Sequence, residues 1–359
     1  MSRPHHGGNL TWAAQIAGCP IYSIRDFSAS INPLGIPPTV IHAIIDDIPG
    51  LALYPDPNYP RLKACLAREC GLAARYIIPG NGSAELLTWA AKDLAQKNFT
   101  YLIAPAFGDY RRALNTFDSK IEILKGQIPF GELCSLIPQK ITANLGLLIN
   151  NPHNPTGKLW GKAEIIPYLE KFALVVVDEA FMDFLLPARQ RSLIDLVPNF
   201  PNLVILRSLT KFYSLPGLRL GYAIASPERI SRWQKWRDPW SVNSLAATAA
   251  IVAMKDRDYQ QDTWQWLSTS KDQLWQGLNN IPGLQPLPSE VNFILVKSDF
   301  SVTSLQKILL QQDQIYIRDC LSFPELGDRY FRVAVRTPSE NQLLLQALTQ
   351  VTHSISIEQ

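Results

Sequence analysis

No disulfide framework and no metal-ligand spacing can be read in this chain. Its five cysteines, Cys19, Cys65, Cys70, Cys134 and Cys320, are odd in number and scattered, which excludes a stapled secreted scaffold and fits a reducing cytosol. A formal net charge of +3 is too small to imply nucleic acid, and no basic run interleaved with aromatics occurs. No stretch approaches the roughly 18 uninterrupted apolar residues of a membrane span. The opening Met1-Ser2-Arg3-Pro4-His5-His6-Gly7-Gly8 has no signal-peptide core. Internal repeats and low-complexity segments are absent too. The expectation is a cytoplasmic protein with neither nucleic-acid nor membrane partners, in which triplets such as Asn81-Gly82-Ser83 are chance matches to a glycosylation signal.

What the chain does have is apolar mass: 359 residues, 47% of them hydrophobic and 18% charged, enough for a large core and for two domains. The first 60 residues are rich in turn formers, as in Ile31-Asn32-Pro33-Leu34-Gly35 and Tyr54-Pro55-Asp56-Pro57-Asn58-Tyr59-Pro60, and read as an extended arm with one short helix over 38–48. From about 61 to 230, short apolar runs at 101–104, 121–124, 145–149, 174–177, 203–206 and 220–224 alternate with helical patterns. Several are apolar at consecutive positions, as in strands covered on both faces. That predicts an α/β fold with a mainly parallel sheet flanked by helices. Helical stretches at 245–255 and 262–280 then lead into strand-like runs at 291–296, 315–317 and 331–335, a smaller α+β C-terminal domain. The expected divisions are an N-terminal arm over 1–45, a large domain over 46–245 and a small domain over 246–359.

Ligands of open α/β sheets bind at the carboxyl ends of the strands, and four features fall there. Lys211, in Ser208-Leu209-Thr210-Lys211-Phe212-Tyr213, lies between two strand-like runs with hydroxyls before it and Arg219 after it. This suits a Schiff-base lysine condensing with an aldehyde cofactor whose phosphate is held by Ser208, Thr210 and Arg219; the plainer alternative is a solvated loop lysine. Gly80-Asn81-Gly82-Ser83-Ala84-Glu85 precedes a helical pattern at 86–94 and reads as a turn offering free N–H groups to an anion, or as an ordinary glycine turn. Asp178 ends the run Leu174-Val175-Val176-Val177. A carboxylate there needs a cationic partner such as a protonated pyridine nitrogen, or else caps the next segment. In Asn150-Asn151-Pro152-His153-Asn154-Pro155-Thr156-Gly157, Asn154 is placed to offer its amide to a phenolic oxygen, or simply forms a turn; His153 reads as a loop residue.

In this order and spacing, the glycine turn, the Asn-Pro loop, the aspartate after a strand, Ser-x-Thr-Lys and Arg219 resemble the fold-type I pyridoxal-phosphate enzymes of the aspartate-aminotransferase superfamily, over nearly the whole chain. The resemblance implies pyridoxal 5'-phosphate as cofactor. Lys211 would be its Schiff-base lysine and proton shuttle, and Asp178 the partner of its ring nitrogen. Asn154 would bind its ring oxygen, while Gly82, Ser83, Ala84, Ser208, Thr210 and Arg219 hold its phosphate. Phe107 would stack on the ring, and Tyr54 would reach the phosphate from the neighbouring subunit of a homodimer. One departure is Phe181, where many relatives carry tyrosine; losing that hydroxyl would leave Asn154 more important.

Within the superfamily, His6-Gly7-Gly8-Asn9, Asp26-Phe27-Ser28-Ala29-Ser30-Ile31-Asn32-Pro33-Leu34-Gly35 and Pro239-Trp240-Ser241-Val242-Asn243 are similar to a branch that decarboxylates a small phosphorylated amino acid. So is the C-terminal stretch over 317–334. In that branch Arg332 would bind the substrate carboxylate, Asn32 would add an amide contact, and Arg318 and His6 would take the substrate phosphate. The alternatives are transamination by a histidinol-phosphate aminotransferase and, less in keeping with the filled cofactor positions, a non-catalytic cofactor-binding protein.

Overall fold

The computed structural model describes residues 3–138, 140–141 and 144–358. A two-residue strand β1 (Arg25–Asp26) precedes the seven strands of the central sheet: β2 (Ile77–Asn81), β3 (Thr100–Ala104), β4 (Ile121–Lys125), β5 (Gly146–Asn150), β6 (Leu174–Asp178), β7 (Leu203–Ser208) and β8 (Leu220–Ile224). Their spatial order is β2-β8-β7-β6-β5-β3-β4. All neighbours are parallel except around β8, which runs antiparallel to both β7 and β2. The consecutive apolar residues of the middle strands are explained by burial on both sides. Val175 and Val177 enter one core with Leu147, Ile149, Leu203 and Ile205, while Leu174 and Val176 enter a second core with Leu148, Val204 and Leu206.

Helices close both faces. In the N-terminal third lie α1 (Leu10–Ala17), α2 (Pro38–Asp47), α3 (Pro60–Cys70) and α4 (Gly82–Leu94), followed by α5 (Gly108–Asn115), α6 (Lys162–Leu169), α7 (Pro227–Gln234) and α8 (Ser244–Ala253). Leu86, Leu87, Ala90, Ala91 and Leu94 form the inward stripe of α4, which packs on β2, β7 and β8. The long α9 (Arg257–Asn279) leads to β9 (Leu284–Pro286), β10 (Phe293–Ser298), α10 (Val302–Asp313), β11 (Ile315–Tyr316), β12 (Arg318–Asp319), β13 (Tyr330–Ala334) and α11 (Pro338–Glu358). Strands β12-β13-β10-β9 form an antiparallel sheet. This is the α/β architecture with a smaller α+β unit that the sequence predicts.

Three details differ from the sequence reading. The arm contains a second helix, α1, capped by the Asn9 side chain (3.0 Å to the Trp12 N–H) and ended by Gly18 at φ +67°. The glycine turn at Gly80-Asn81-Gly82 is instead the end of an unforeseen strand, β2, running straight into α4 at Gly82; a strand containing proline and glycine carries little β signal. The run at 315–317 splits, because Ile315 and Tyr316 pair with Arg25 and Asp26 of the arm while Arg318 and Asp319 pair with β13. Among the described residues no helix is long and apolar enough to cross a membrane, and no cluster of three His, Cys, Asp or Glu could hold a metal.

Candidate active site

Strand direction brings the chemistry together. β3, β5, β6 and β7 are parallel, so Ala104, Asn150, Asp178 and Ser208 end at one edge of the sheet. β2 ends there as well, since it and β7 are both antiparallel to β8, and antiparallel β8 begins there, just after Arg219. At this edge lies a cavity of about 220 Å³ lined by His6, Ser83, Phe107, Asn154, Asp178, Phe181, Lys211, Arg318 and Arg332, among others.

Lys211 lies in it, half-buried. Its Nζ donates to Ser208 Oγ at 3.4 Å and sits 5.1 Å from the centre of the Phe181 ring. Burial lowers its pKa, helped by Arg219 and Arg332 and opposed by Asp178. A neutral amine is therefore easier to reach than on an exposed lysine, which is what a nucleophile requires. Asp178 faces it with both oxygens engaged: Oδ1 accepts the Ala180 N–H (2.9 Å) and Oδ2 the Tyr110 hydroxyl (2.7 Å). Burial raises the Asp178 pKa, while Tyr110, Lys211 and Ala180 oppose the rise.

The start of α4 is an open anion cradle. Asn81 provides no side-chain cap to the helix, so no protein side chain caps its first N–H groups there. Gly82 sits at φ +76°, and a Cβ on it would lie 2.6 Å from Arg219 Nη2. Glycine adopts that backbone without strain and lets the guanidinium come close. A Cβ on Gly221 would lie 2.5 Å from the Ser83 nitrogen, so β8 is pressed against the same turn. Ser208 Oγ and Thr210 Oγ1 lie 2.8 Å apart, with Ser208 Oγ also accepting from Lys211.

The Asn-Pro loop is fixed by its own asparagines. Asn150 donates to the Asp178 carbonyl (2.9 Å) and accepts the Asn154 N–H (2.6 Å), while Asn151 bonds Trp160 in both directions. Asn154 Oδ1 accepts from Arg332 Nη1 at 2.5 Å, which aims its amide nitrogen elsewhere. His153, read from sequence as a loop residue, is a buried brace. Its ring lies against Phe130 and Trp160, Nδ1 lies 2.9 Å from Thr156 Oγ1, and the ring hydrogen-bonds the Pro105 backbone. Burial pulls its pKa down to about 3, so it is neutral and ties the Asn-Pro loop to the loop carrying Phe107.

At the mouth, Arg332 also donates to the Ser28 carbonyl (3.1 Å) and lies over Phe293. Its Nε is buried without a partner. Arg318 bonds the carbonyls of Pro4 and His5 and Ser322 Oγ (2.5 Å). Burial first, then the neighbouring Arg318, lowers Arg332 to about 10. Among the described residues neither guanidinium has an ion-pair partner. His6 lies against Phe107, ring centres 5.3 Å apart.

Asn32 and Tyr54 do not line this chain's cavity; the expected place of Tyr54 is the neighbouring subunit's site. The Asn32 amide is spent internally: Nδ2 donates to the Phe212 carbonyl (2.9 Å) and Thr263 Oγ1 (2.8 Å), and Oδ1 accepts the Leu34 N–H. It does not line the cavity, because a buried amide satisfies its own donors first. Tyr54 is 80% exposed and stacks on Trp240 at 4.7 Å, away from this chain's cavity. Tyr110, by contrast, lines the site and went unforeseen; its place one helical turn after Phe107 was the available signal. Arg207, just before Ser208 on β7, is buried against Glu179 (2.9 Å) and Asp183.

The family profile for aminotransferase class I and II matches residues 23–348. The threonine-phosphate decarboxylase of Salmonella typhimurium is 37% identical, the match spanning 98% of this chain and 97% of that protein. Histidinol-phosphate aminotransferase 1 of Dechloromonas aromatica is 31% identical over 95% of this chain and 94% of its own. Among solved structures, the histidinol-phosphate aminotransferase from Clostridium acetobutylicum superposes with a TM-score of 0.83 at 28% identity, covering 91% of this chain and 99% of that one.

Proposed function

Because the chain belongs to the class I and II aminotransferase family, we propose that it is a cytosolic, homodimeric pyridoxal-phosphate enzyme that decarboxylates L-threonine O-3-phosphate to (R)-1-amino-2-propanol O-phosphate and CO2 in cobalamin biosynthesis. The residues present fit the cofactor. An uncapped helix start, with Arg219 close to a glycine at φ +76°, suits its phosphate. Asp178 suits its ring nitrogen, Phe107 one ring face and Lys211 its aldehyde. When bound, pyridoxal phosphate supplies a carbonyl carbon for the substrate amine and a ring that accepts electrons from a breaking bond at Cα.

The observation that carries the substrate reading is the pair of buried guanidinium groups without ion partners, Arg332 and Arg318, above Lys211. Two mutually repelling cations in one cavity suit a substrate with two anionic groups. Arg332 binds the carboxylate, its free Nε adding a donor, and Arg318 takes the phosphate with His6 beside it. Held at both ends, the substrate would be fixed in one orientation in the cavity, which would select the Cα bond whose electrons the cofactor could accept. Lys211 would hold the cofactor's aldehyde carbon and, in its protonated form, whose acidity burial increases, would supply a proton to Cα. Asp178 would favour positive charge at the ring nitrogen. The 37% identity to a threonine-phosphate decarboxylase across both full lengths supports cleavage of the carboxylate bond rather than Cα–H.

Pure protein loaded with pyridoxal phosphate and given L-threonine O-3-phosphate is expected to release CO2 in stoichiometric yield with or without 2-oxoglutarate. Glutamate formed from 2-oxoglutarate and histidinol phosphate, with no CO2 from threonine phosphate, would instead make it an aminotransferase.

A further inference from the structure

Tyr110 has no part in the proposed reaction so far, yet it makes the most direct contact to the cofactor's expected charge partner. It stands on the first turn of α5, whose N-cap residue is Phe107, and the two rings meet edge to face at 5.6 Å and 84°. Its hydroxyl is buried and donates to Asp178 Oδ2 at 2.7 Å, while the Ala180 N–H serves Oδ1. A carboxylate has about four lone-pair sites, so room remains for a ring N–H. From the geometry we infer that Tyr110 is a positioning residue that acts through Asp178 to keep the proton of their shared hydrogen bond on the cofactor nitrogen rather than on the carboxylate. This deepens the proposed function and rests on it for the cofactor alone, not for the substrate.

The physical reason is a competition for one proton. Burial raises the proton affinity of Asp178, and the nearby Asp109 raises it further; Lys211 and the two hydrogen bonds lower it. Arg219 and Arg332 face Lys211 and add positive potential at the same place. In such a site a donor to the charged carboxylate counts more than at the surface. Tyr110 can play that part at any physiological pH, because burial, then Asp178 itself, pushes its own pKa well up and the phenol stays a donor. Without it, Asp178 becomes the stronger base of the pair. The proton moves toward oxygen, and the ring loses the positive charge that makes it an electron sink. The same short helix thus sets both the ring's packing, through Phe107, and its charge, through Tyr110.

The test is NMR of the holoenzyme without substrate, loaded with pyridoxal phosphate labelled with nitrogen-15 in the ring. In the wild type the ring nitrogen is expected at the pyridinium position with a directly bonded proton. In Tyr110→Phe, which removes one oxygen and keeps the ring, the signal shifts toward neutral pyridine, and kcat falls about ten-fold or more with KM little changed. A second arm replaces the cofactor by its 1-deaza analogue, whose ring has carbon at that position. There Tyr110→Phe should cost nothing further, whereas a merely structural tyrosine would cost the same with either cofactor. An unchanged nitrogen signal in the variant, or an equal loss with the deaza analogue, overturns the inference. A wild type that binds no cofactor would overturn the cofactor reading itself, and a wild type that shows the nitrogen shifts but releases no CO2 would overturn only the substrate.

Discussion

Lys211 is kept in its place at a cost. Its amine is buried, and it binds a proton less tightly folded than unfolded, because burial and two arginines outweigh Asp178. The unfolded chain therefore holds more protons in the window between the lowered folded value and 10.5, and stability rises with pH across it. Below that window the penalty is present in full. Lys211→Ala removes it, so the apoprotein variant should resist urea at pH 7 at least as well as the wild type. The gap should narrow as pH approaches 10. The same variant should show no visible absorption band with pyridoxal phosphate. A variant clearly less stable than wild type at pH 7 would mean that the lysine supports the fold. Lys211 and Asp178 were legible because strand ends are legible: apolar runs mark where a parallel strand stops, and the residues just past that point face the ligand. Asn32 was not, since nothing in a sequence tells whether a polar side chain will meet a ligand or a backbone carbonyl, and Tyr110 was marked only by its place three residues after Phe107.

At the level of elements, function gathers where α4 leaves β2. Residues 80–85 announced a turn, but proline and glycine hid the strand that delivers it. The register Asn81↔Leu220 and the close approach of Gly221 to Ser83 aim the first turn of α4 at the cavity. Gly82 bears two constraints at once, a left-handed φ and contact with Arg219. A Cβ there would cost about 1–2 kcal/mol in backbone conformation alone, before it pushes the guanidinium aside. Gly82→Ala is expected to weaken pyridoxal phosphate binding at least about ten-fold in a fluorescence titration, while circular dichroism shows an intact fold. Gly71→Ala is the fair control: its φ is similarly positive, at +65°, but nothing crowds it within 4 Å. Equal losses of cofactor affinity in both would assign the effect to strain and not to the cradle. The arm was misread for a related reason. Its turn formers predicted loops, and it has no core of its own, so α1 and β1 take their order from α10 and β11.

For the molecule as a whole, one face of the chain is apolar and exposed. Val40 of α2 is buried and Ile44 packs on the core, while Ile41, Ile45 and Ile48 form a second apolar stripe that is 43–56% exposed. Leu51, Leu53, Tyr54 and Trp240 extend it. A helix apolar on two sides needs two partners; α8 covers one. An exposed patch of this kind marks an association surface, and Tyr54 lies on it, as the proposed homodimer requires. Mixed dimers test it. Tyr54→Ala and Lys211→Ala proteins should each have little activity alone. Unfolded together and refolded, half of the dimers become hybrids, and each hybrid contains one site with Lys211 from one chain and Tyr54 from the other. About a quarter of the wild-type activity should therefore return. If sedimentation shows dimers and no activity returns, Tyr54 serves its own chain or the interface alone. If sedimentation shows monomers, the apolar stripe has another occupant.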